Sequence, residues 1–387
     1  MARPAVDIIV PARNAAATVR TTIESLQHQT FTAWRLIAVD DGSSDATGTI
    51  LAEMASTDPR IHVVHGPEQG VVAALNLALR MTDAEFVARQ DADDVAWPER
   101  LERQIYYLRT HPDCVGVGCD VRHIDADGQP VGTRSDYRPP GLANVDFLPA
   151  QEPYVPGPFL LARRQALLRI GAFRPMHVAE DSDLCWRLQE IGRLHNLPEV
   201  LGDYRLHAGS ISSRSIRHGR VMAVCSQLVA MSAKRRRSGR ADLPVFTRAF
   251  MARQDSQTSL AALRDLASPM LTADEKPWFD LAISAKLVEM AMYRPFEPDA
   301  EDCRFIAQAL RNGRDLLSVD NETILTRLLL ARALRIGFAG RVRDAIRLVP
   351  PQGFYTRSLR VGMRHGVPFL ARCARTVAAR FSLSATD

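Results

Sequence analysis

Over the first hundred residues, short, largely apolar runs alternate with stretches in which apolar residues recur every three or four positions. Runs 6–10, 34–39, 61–64 and 85–90 have strand character. Between them, 15–28 puts Val19, Ile23 and Leu26 on one helical face, and the same period predicts helices over 45–55 and 69–81. Continuous apolar strands separated by helices indicate a mostly parallel sheet covered on both faces, hence an α/β fold with right-handed crossovers. Further on, the pattern predicts a helix over 98–110 and a strand over 114–124 that ends in the hairpin turn Asp125-Ala126-Asp127-Gly128. A strand over 158–162 and a short helix over 163–170 follow. The stretch 134–151 carries Pro139-Pro140-Gly141 and no period, and reads as a loop covering the strand ends. From 216 the strand signals stop, and helices are predicted over 217–236, 244–268, 274–292, 299–317, 321–337 and 340–348. Two domains follow: an α/β domain over 1–215 and an all-helical extension over 216–387.

The polar residues gather where the strands end, the edge at which open α/β sheets bind ligands. Pro11-Ala12-Arg13-Asn14 follows the first strand, and Asp40-Asp41-Gly42-Ser43-Ser44-Asp45 follows the second. The fourth runs into Asp91, Asp93 and Asp94. Three acids in four residues repel one another, and hard divalent cations take oxygen ligands, so this turn is a candidate metal–diphosphate site. The competing reading is a solvated acidic turn that caps the helix after it. Asp41 has two similar readings, a hydrogen-bond acceptor for a base N–H or one part of a well-made turn. Glu180, Asp181 and Asp183 crowd the first turn of a helix with Leu184, Leu188 and Ile191 on one face. They are either simple capping residues or, at Asp181, a general base for a hydroxyl. His207, after Tyr204-Arg205, is a metal or phosphate contact, or an ordinary surface or core histidine.

Composition changes this picture little. Of the residues 46% are apolar and 24% charged, and the net charge of +5 does not by itself imply nucleic acid. The six cysteines form no C-x-x-C pair and no zinc spacing, and read as reduced, buried thiols of a cytosolic protein. No secretory leader and no run of about twenty apolar residues is present, so any membrane contact is expected to be peripheral. Six arginines against Asp387 alone over 352–387 make the stretch 358–381 a candidate for an anionic membrane surface at the inner face of the plasma membrane, or a plain basic helix.

The ordered set Ile8-Ile9-Val10-Pro11-Ala12-Arg13-Asn14, Val39-Asp40-Asp41-Gly42-Ser43-Ser44-Asp45, Asp91-Ala92-Asp93-Asp94, Glu180-Asp181 and Tyr204-Arg205-x-His207 resembles the large inverting glycosyltransferase family numbered two, with the GT-A fold, over about 5–215. The resemblance implies that Pro11, Ala12 and Asn14 line a nucleoside pocket and that Asp41 contacts the base, commonly uracil. It implies that Asp91 lies near the ribose, that Asp93 and His207 bind Mn²⁺ or Mg²⁺ at the diphosphate, and that Asp94 and Glu180 support the site. Asp181 would be the catalytic base. Asn76 counts with the nucleotide contacts, although Ala73-Ala74 stand where many relatives carry a basic residue. The Q-x-x-R-W signature of processive synthases is missing, which favours single additions.

The implied activity is metal-dependent transfer, with inversion, of a sugar from a nucleoside-diphosphate donor (a UDP-sugar first) to a hydroxyl on a glycan or lipid-linked acceptor, in cell-surface polysaccharide or glycolipid synthesis. A nucleotidyltransferase would bring a glycine-rich phosphate loop after the first strand, where Pro11-Ala12-Arg13-Asn14 stands. A non-catalytic nucleotide-sugar-binding scaffold would have no need of Asp91, Asp93 and Asp181 together.

Overall fold

The structure is a computed structural model, and it describes residues 3–135, 137–206, 215–294 and 296–349. The strands are β1 (Val6–Ala12), β2 (Trp34–Asp40), β3 (Ile61–His65), β4 (Phe86–Arg89), β5 (Val95–Ala96), β6 (Cys114–Ile124), β7 (Pro130–Arg134), β8 (Leu161–Arg163) and β9 (Arg193–Arg205). The helices among and after them are α1 (Val19–Gln27), α2 (Thr47–Thr57), α3 (Val71–Met81), α4 (Arg100–Thr110), α5 (Arg164–Arg169), α6 (Glu180–Gln189), α7 (Ile216–Arg237), α8 (Arg248–Asp255), α9 (Leu260–Ala267), α10 (Glu275–Tyr293), α11 (Ala300–Gly313), α12 (Val319–Phe338) and α13 (Val342–Leu348).

By packing, the chain divides into two compact units. One gathers the described residues of Met1–Val145, Gln151–Ser213 and Leu228–Asp255; the other gathers those of Asp146–Ala150, Arg214–Gln227 and Ser256–Asp387.

The first unit is built on a nine-stranded sheet of order β3-β2-β1-β4-β8-β6-β9-β5, with β7 paired to β6. Its first half is parallel, as the continuous apolar runs predict: β1 lies between β2 and β4, and β2 beside β3. Beyond β4 the sheet is mixed. β8 enters antiparallel to both β4 and β6, and β5 and β7 are antiparallel additions. Alternation along β1 divides the core. Ile8 and Val10 pack with Ile23, Leu26, Leu101 and Ile105 on one face, while Ile9 packs with Leu75, Leu79, Leu184 and Leu188 on the other. Each such buried side chain contributes about 1.5–3 kcal/mol. Together they hold the carboxyl ends of β1, β2 and β4 side by side.

Three elements depart from the predicted pattern. β9 reads weakly because Asn196, Pro198, Glu199 and Asp203 interrupt it, and its parallel pairing with β6 shifts register three times. The single helix predicted over 244–268 is two, α8 and α9. Ser259 restarts the chain by accepting the Ala262 N–H on its hydroxyl. The loop over 134–151 contains a 3-10 turn at Pro140–Leu142 and a bridge between Asn144 and Gln151.

The second unit is helical. Leu148 N–H donates to Asn321 Oδ1 at 3.2 Å, and Asn321 Nδ2 donates to the Asp146 carbonyl at 3.1 Å. Asp299 caps α11 in a reciprocal box with Asp302. Among the described residues, no helix is long and apolar enough to cross a membrane. The stretch 358–381 lies outside the described residues.

Candidate active site

The loops after β1 and β2 are stitched into one ledge. Ala12 is in register with Asp40, and Asp41 N–H donates to the Ala12 carbonyl at 2.9 Å. Pro11 and Ala12 close β1, and Asn14 then turns left-handed at φ 50°. Its Oδ1 accepts from Ser44 N–H at 2.8 Å, and its own N–H donates to Ser43 Oγ at 3.0 Å. Asp41 is buried beneath this ledge. Its carboxylate accepts from Gly70 N–H at 2.7 Å, at the entry to α3, where the helix end favours a negative charge. A Cβ on Gly66 would stand 2.6 Å from Asp41 Oδ1, so only glycine lets that loop pass.

The ledge connects to the acidic turn. Gln90 N–H donates to the Ile9 carbonyl at 3.1 Å, and Thr18 Oγ1 donates to the Ala92 carbonyl at 2.9 Å. Asp94 is buried and accepts from Arg205 N–H at 2.8 Å, while Arg205 Nε donates to the Asp93 carbonyl at 2.8 Å. The last residue described in β9 therefore grips the turn from behind. Burial, then the charges of Asp93 and Asp91, push the Asp94 carboxyl well above the carboxylate range.

Arg89 stands at the centre and is only 6% exposed. Its Nε and Nη2 donate to the two oxygens of Asp91 at 2.8 and 3.1 Å, and its Nη1 donates to Glu180 Oε1 at 3.2 Å. Burial works against its charge, but Asp91 and Glu180 outweigh that, and the guanidinium is held above its ordinary value. Thus Asp91 and Glu180, far apart along the chain, share one cation. Asp181 adjoins them: a Cβ on Gly157 would stand 3.1 Å from Arg89 Nη1 and 3.4 Å from Asp181 Cβ. Behind Arg89, the fully buried Arg100 donates to the Arg89 carbonyl at 2.8 Å and to Gln90 Oε1, with its guanidinium over the Phe159 ring.

Asp181 is the second residue of α6, which Glu180 opens just after Ala179, a non-glycine residue at φ 62°. Its Oδ1 accepts from Ser182 N–H at 2.7 Å, and Ser182 Oγ donates to Glu152 Oε2 at 2.6 Å. Burial, then the charge of Glu180, push the Asp181 carboxyl up to about 7, with Arg89 opposing. Such a group takes up and gives back a proton near neutral pH. Asp183, in the same turn, is fully buried between Arg174 and Arg187 and holds the fold.

Asp91, Asp93, Asp94, Glu180 and Asp181 therefore gather at one place, with Pro11, Ala12, Asn14 and Asp41 on the adjoining ledge. Asn76 is not part of it: both ends of its amide are closed on the Phe173 main chain, at 2.7 and 3.1 Å. His207 lies outside the described residues. Among the described residues, no three His, Cys, Asp or Glu side chains form a ready metal cage. The donor set of Asp91 and Asp93 is all oxygen, and suits a hard cation that takes its remaining ligands from phosphate or water. Sequence reading passed over Arg89, Arg100, Glu152 and Gly157. For Arg89 a signal was present: residues i and i+2 of an extended strand point the same way, which aims Arg89 at Asp91.

A family model described as glycosyl transferase family 2 matches residues 7–171. The amylovoran biosynthesis glycosyltransferase AmsE of Erwinia amylovora is 30% identical over 198 residues, which cover 50% of this chain and 72% of AmsE. The putative glycosyltransferase EpsE of Bacillus subtilis is 29% identical over 218 residues, 55% of this chain and 77% of EpsE. Among solved structures, S. aureus TarS 1-349 in complex with UDP-GlcNAc aligns with a TM-score of 0.51 at 16% identity, over 94% of this chain and 93% of that one, a likeness of fold alone.

Proposed function

The chain belongs to glycosyl transferase family 2 and has the GT-A fold; from that premise we propose that it is a metal-dependent, inverting glycosyltransferase acting from a nucleoside-diphosphate sugar, a UDP-sugar first. The reading is carried by one contact set: Arg89 binds Asp91 and Glu180 together, which brings the carboxylate that starts α6 beside the acidic turn after β4. In this reading the catalytic domain is residues 1–215, with 216–387 as an extension whose part 228–255 packs in the same compact unit as the sheet. The relative named for amylovoran biosynthesis supports a role in building a surface polysaccharide or glycolipid.

In this reading the ledge of Pro11, Ala12, Asn14 and Asp41 receives the nucleoside, and Asp91 faces its ribose. Asp93 holds Mn²⁺ or Mg²⁺, joined by His207 and backed by Asp94. When bound, the cation acts as a Lewis acid and neutralises charge on the departing diphosphate. Asn76 acts indirectly, by fixing the turn at Phe173. Asp181 accepts the proton of the acceptor hydroxyl as its oxygen bonds to the anomeric carbon. The bond from that carbon to the diphosphate oxygen breaks at the same time, and the diphosphate leaves with the electron pair. One displacement inverts the anomeric centre. Glu180 keeps the Asp181 carboxylate basic enough to take the proton, and Arg89 keeps it from being protonated throughout. The acceptor is a glycan or lipid-linked hydroxyl, met at the cytoplasmic face of the plasma membrane through the basic stretch 358–381.

A screen of common UDP- and GDP-sugars, with and without Mn²⁺, is expected to yield nucleoside diphosphate and a transferred sugar only with the metal. Pyrophosphate as product would point to a nucleotidyltransferase instead. In Asp181→Asn, transfer is expected to fall by about 10²–10⁴ with the fold retained. Transfer at the normal rate by that variant would end the base assignment.

A further inference from the structure

We propose that Arg89 is a positioning residue that makes the donor side and the acceptor side of the site one mechanical unit, with a single guanidinium setting both Asp91 and the Glu180-Asp181 pair. The inference rests on the transferase reading above and goes past it, because that reading gives Arg89 a charge beside Asp181 and no part in joining the two sides.

The guanidinium has little freedom. A planar fork spends Nε and Nη2 on both oxygens of Asp91, and the remaining corner, Nη1, reaches Glu180. Its main chain is pinned as well: Arg89 N–H donates to the Leu160 carbonyl at 2.9 Å, and its own carbonyl accepts from Arg100 at 2.8 Å. Gly157 closes the open side, where even one added carbon would press on Nη1 at 3.1 Å. A shift of Asp91 towards an incoming sugar nucleotide therefore pulls on the group that holds Glu180. A lysine offers one point charge in place of the fork and cannot hold both carboxylates in this geometry.

Charge makes the same connection. The groups that bear on Asp181 are Glu180 on its own helix, Arg89 on β4, Glu152 and Tyr154 on the segment before β8, and Cys185 one turn along α6. Of these, Arg89 is the cation, and it favours the ionised form that a base needs. Glu180 and Glu152 oppose it. Removing Arg89 and removing Glu180 must then move the ionisation of Asp181 in opposite directions, which a role in folding alone would not do.

The test uses the full chain, with Mn²⁺ and the common UDP- and GDP-sugars as probes, and reads nucleoside diphosphate release across pH. Arg89→Lys and Arg89→Met are expected to keep the wild-type circular dichroism and to lose about tenfold or more in kcat/KM, with donor KM raised as well as kcat lowered. The acid limb of Arg89→Met, which removes the cation, should move up by about one pH unit, that of Arg89→Lys should move less, and that of Glu180→Gln should move down. The double variant Asp91→Asn/Glu180→Gln should depart from the product of the single effects by about threefold or more, since both partners act through one group. This cycle stands even if neither Arg89 variant folds. Unmoved limbs together with independent effects of Asp91→Asn and Glu180→Gln would overturn the inference and leave the transferase reading intact. A wild-type chain that releases no nucleoside diphosphate from any probe would overturn the transferase reading, and this inference with it.

Discussion

Two buried arginines, one in each compact unit, hold pairs of carboxylates, and they do so to different ends. Arg220 donates to both oxygens of Asp302 at 2.9 and 2.8 Å and also contacts Asp299. Every acid oxygen there is occupied: Asp299 Oδ1 accepts from the Glu301 and Asp302 N–H groups, and Asp302 Oδ2 accepts from Asp299 N–H. The positive end of α11 takes up the remaining negative charge. Around Arg89 the balance is different. Asp91, Asp93, Asp94, Glu152, Glu180 and Asp181 gather about Arg89, Arg100 and Arg205, and burial with neighbouring charge pushes the Asp94 carboxyl well up and that of Asp181 to about 7. Pairing alone does not distinguish a structural cluster from a reactive one. What distinguishes them is the effect on the acids themselves, because around Arg89 burial and neighbouring carboxylates raise two carboxyls at the end of a sheet where a divalent cation and an entering proton would be received.

That contrast can be broken most forcefully at Arg220. Arg220→Met leaves Asp302 buried without its cation, and should cost about 3–5 kcal/mol of stability, read as a lower midpoint in urea. At a temperature where both proteins are folded, kcat/KM should stay within about twofold of wild type, well inside the scatter of small surface effects. A large loss of transfer from a variant that is still folded would mean that the Arg220 cluster serves the reaction too.

A second measurement sharpens the reactive side of the comparison. Asp181 has a folded value of about 7 against an ordinary value of 3.8. A base must be ionised, so kcat/KM should rise about tenfold per pH unit below that value and level off above it. Stability carries the opposite sign. The folded protein binds the Asp181 proton more tightly than the unfolded chain, so this contribution is present below pH 3.8 and is lost as pH rises through about 7. Asp181→Asn should remove both dependences, which pH-resolved unfolding and rate profiles would read.

Much of this was legible in the residues themselves. The runs of β1 to β4 are short but mostly apolar, so the strand pattern survives in the chain, and the acids fall at the strand ends, the edge at which open α/β sheets bind ligands. β9 was hidden because a strand carrying Asn196, Pro198 and Asp203 is held by its register against β6 rather than by its own pattern. Asn76 looked like a ligand contact because position alone cannot show that its amide is already closed on Phe173. Arg89 was visible and unread: a lone arginine in a strand is ordinary until Glu180 arrives from far along the chain to meet it. Long-range pairing of that kind leaves no local trace. The same holds for Gly157, whose lack of a side chain matters only because of what packs over it.

Gly157 gives the finest adjustment of the comparison, because it changes the space around Arg89 without removing a charge. An alanine Cβ would lie 3.1 Å from Arg89 Nη1 and 3.3 Å from Cζ, closer than a carbon normally sits. A flexible side chain would yield by a few tenths of an ångström at little cost. This one is forked onto Asp91 and tied to Glu180, so the displacement must reach the carboxylates. Gly157→Ala is therefore expected to cost under about 1 kcal/mol of stability while lowering kcat/KM by about three- to tenfold, a small misplacement acting on an oriented site. Its acid limb should stay with wild type, since the charges around Asp181 are unchanged in number. Wild-type kcat/KM in this variant would show that the Arg89 clasp gives way freely, and the distinction between a closed structural pair and a tensioned catalytic one would then rest on charge alone.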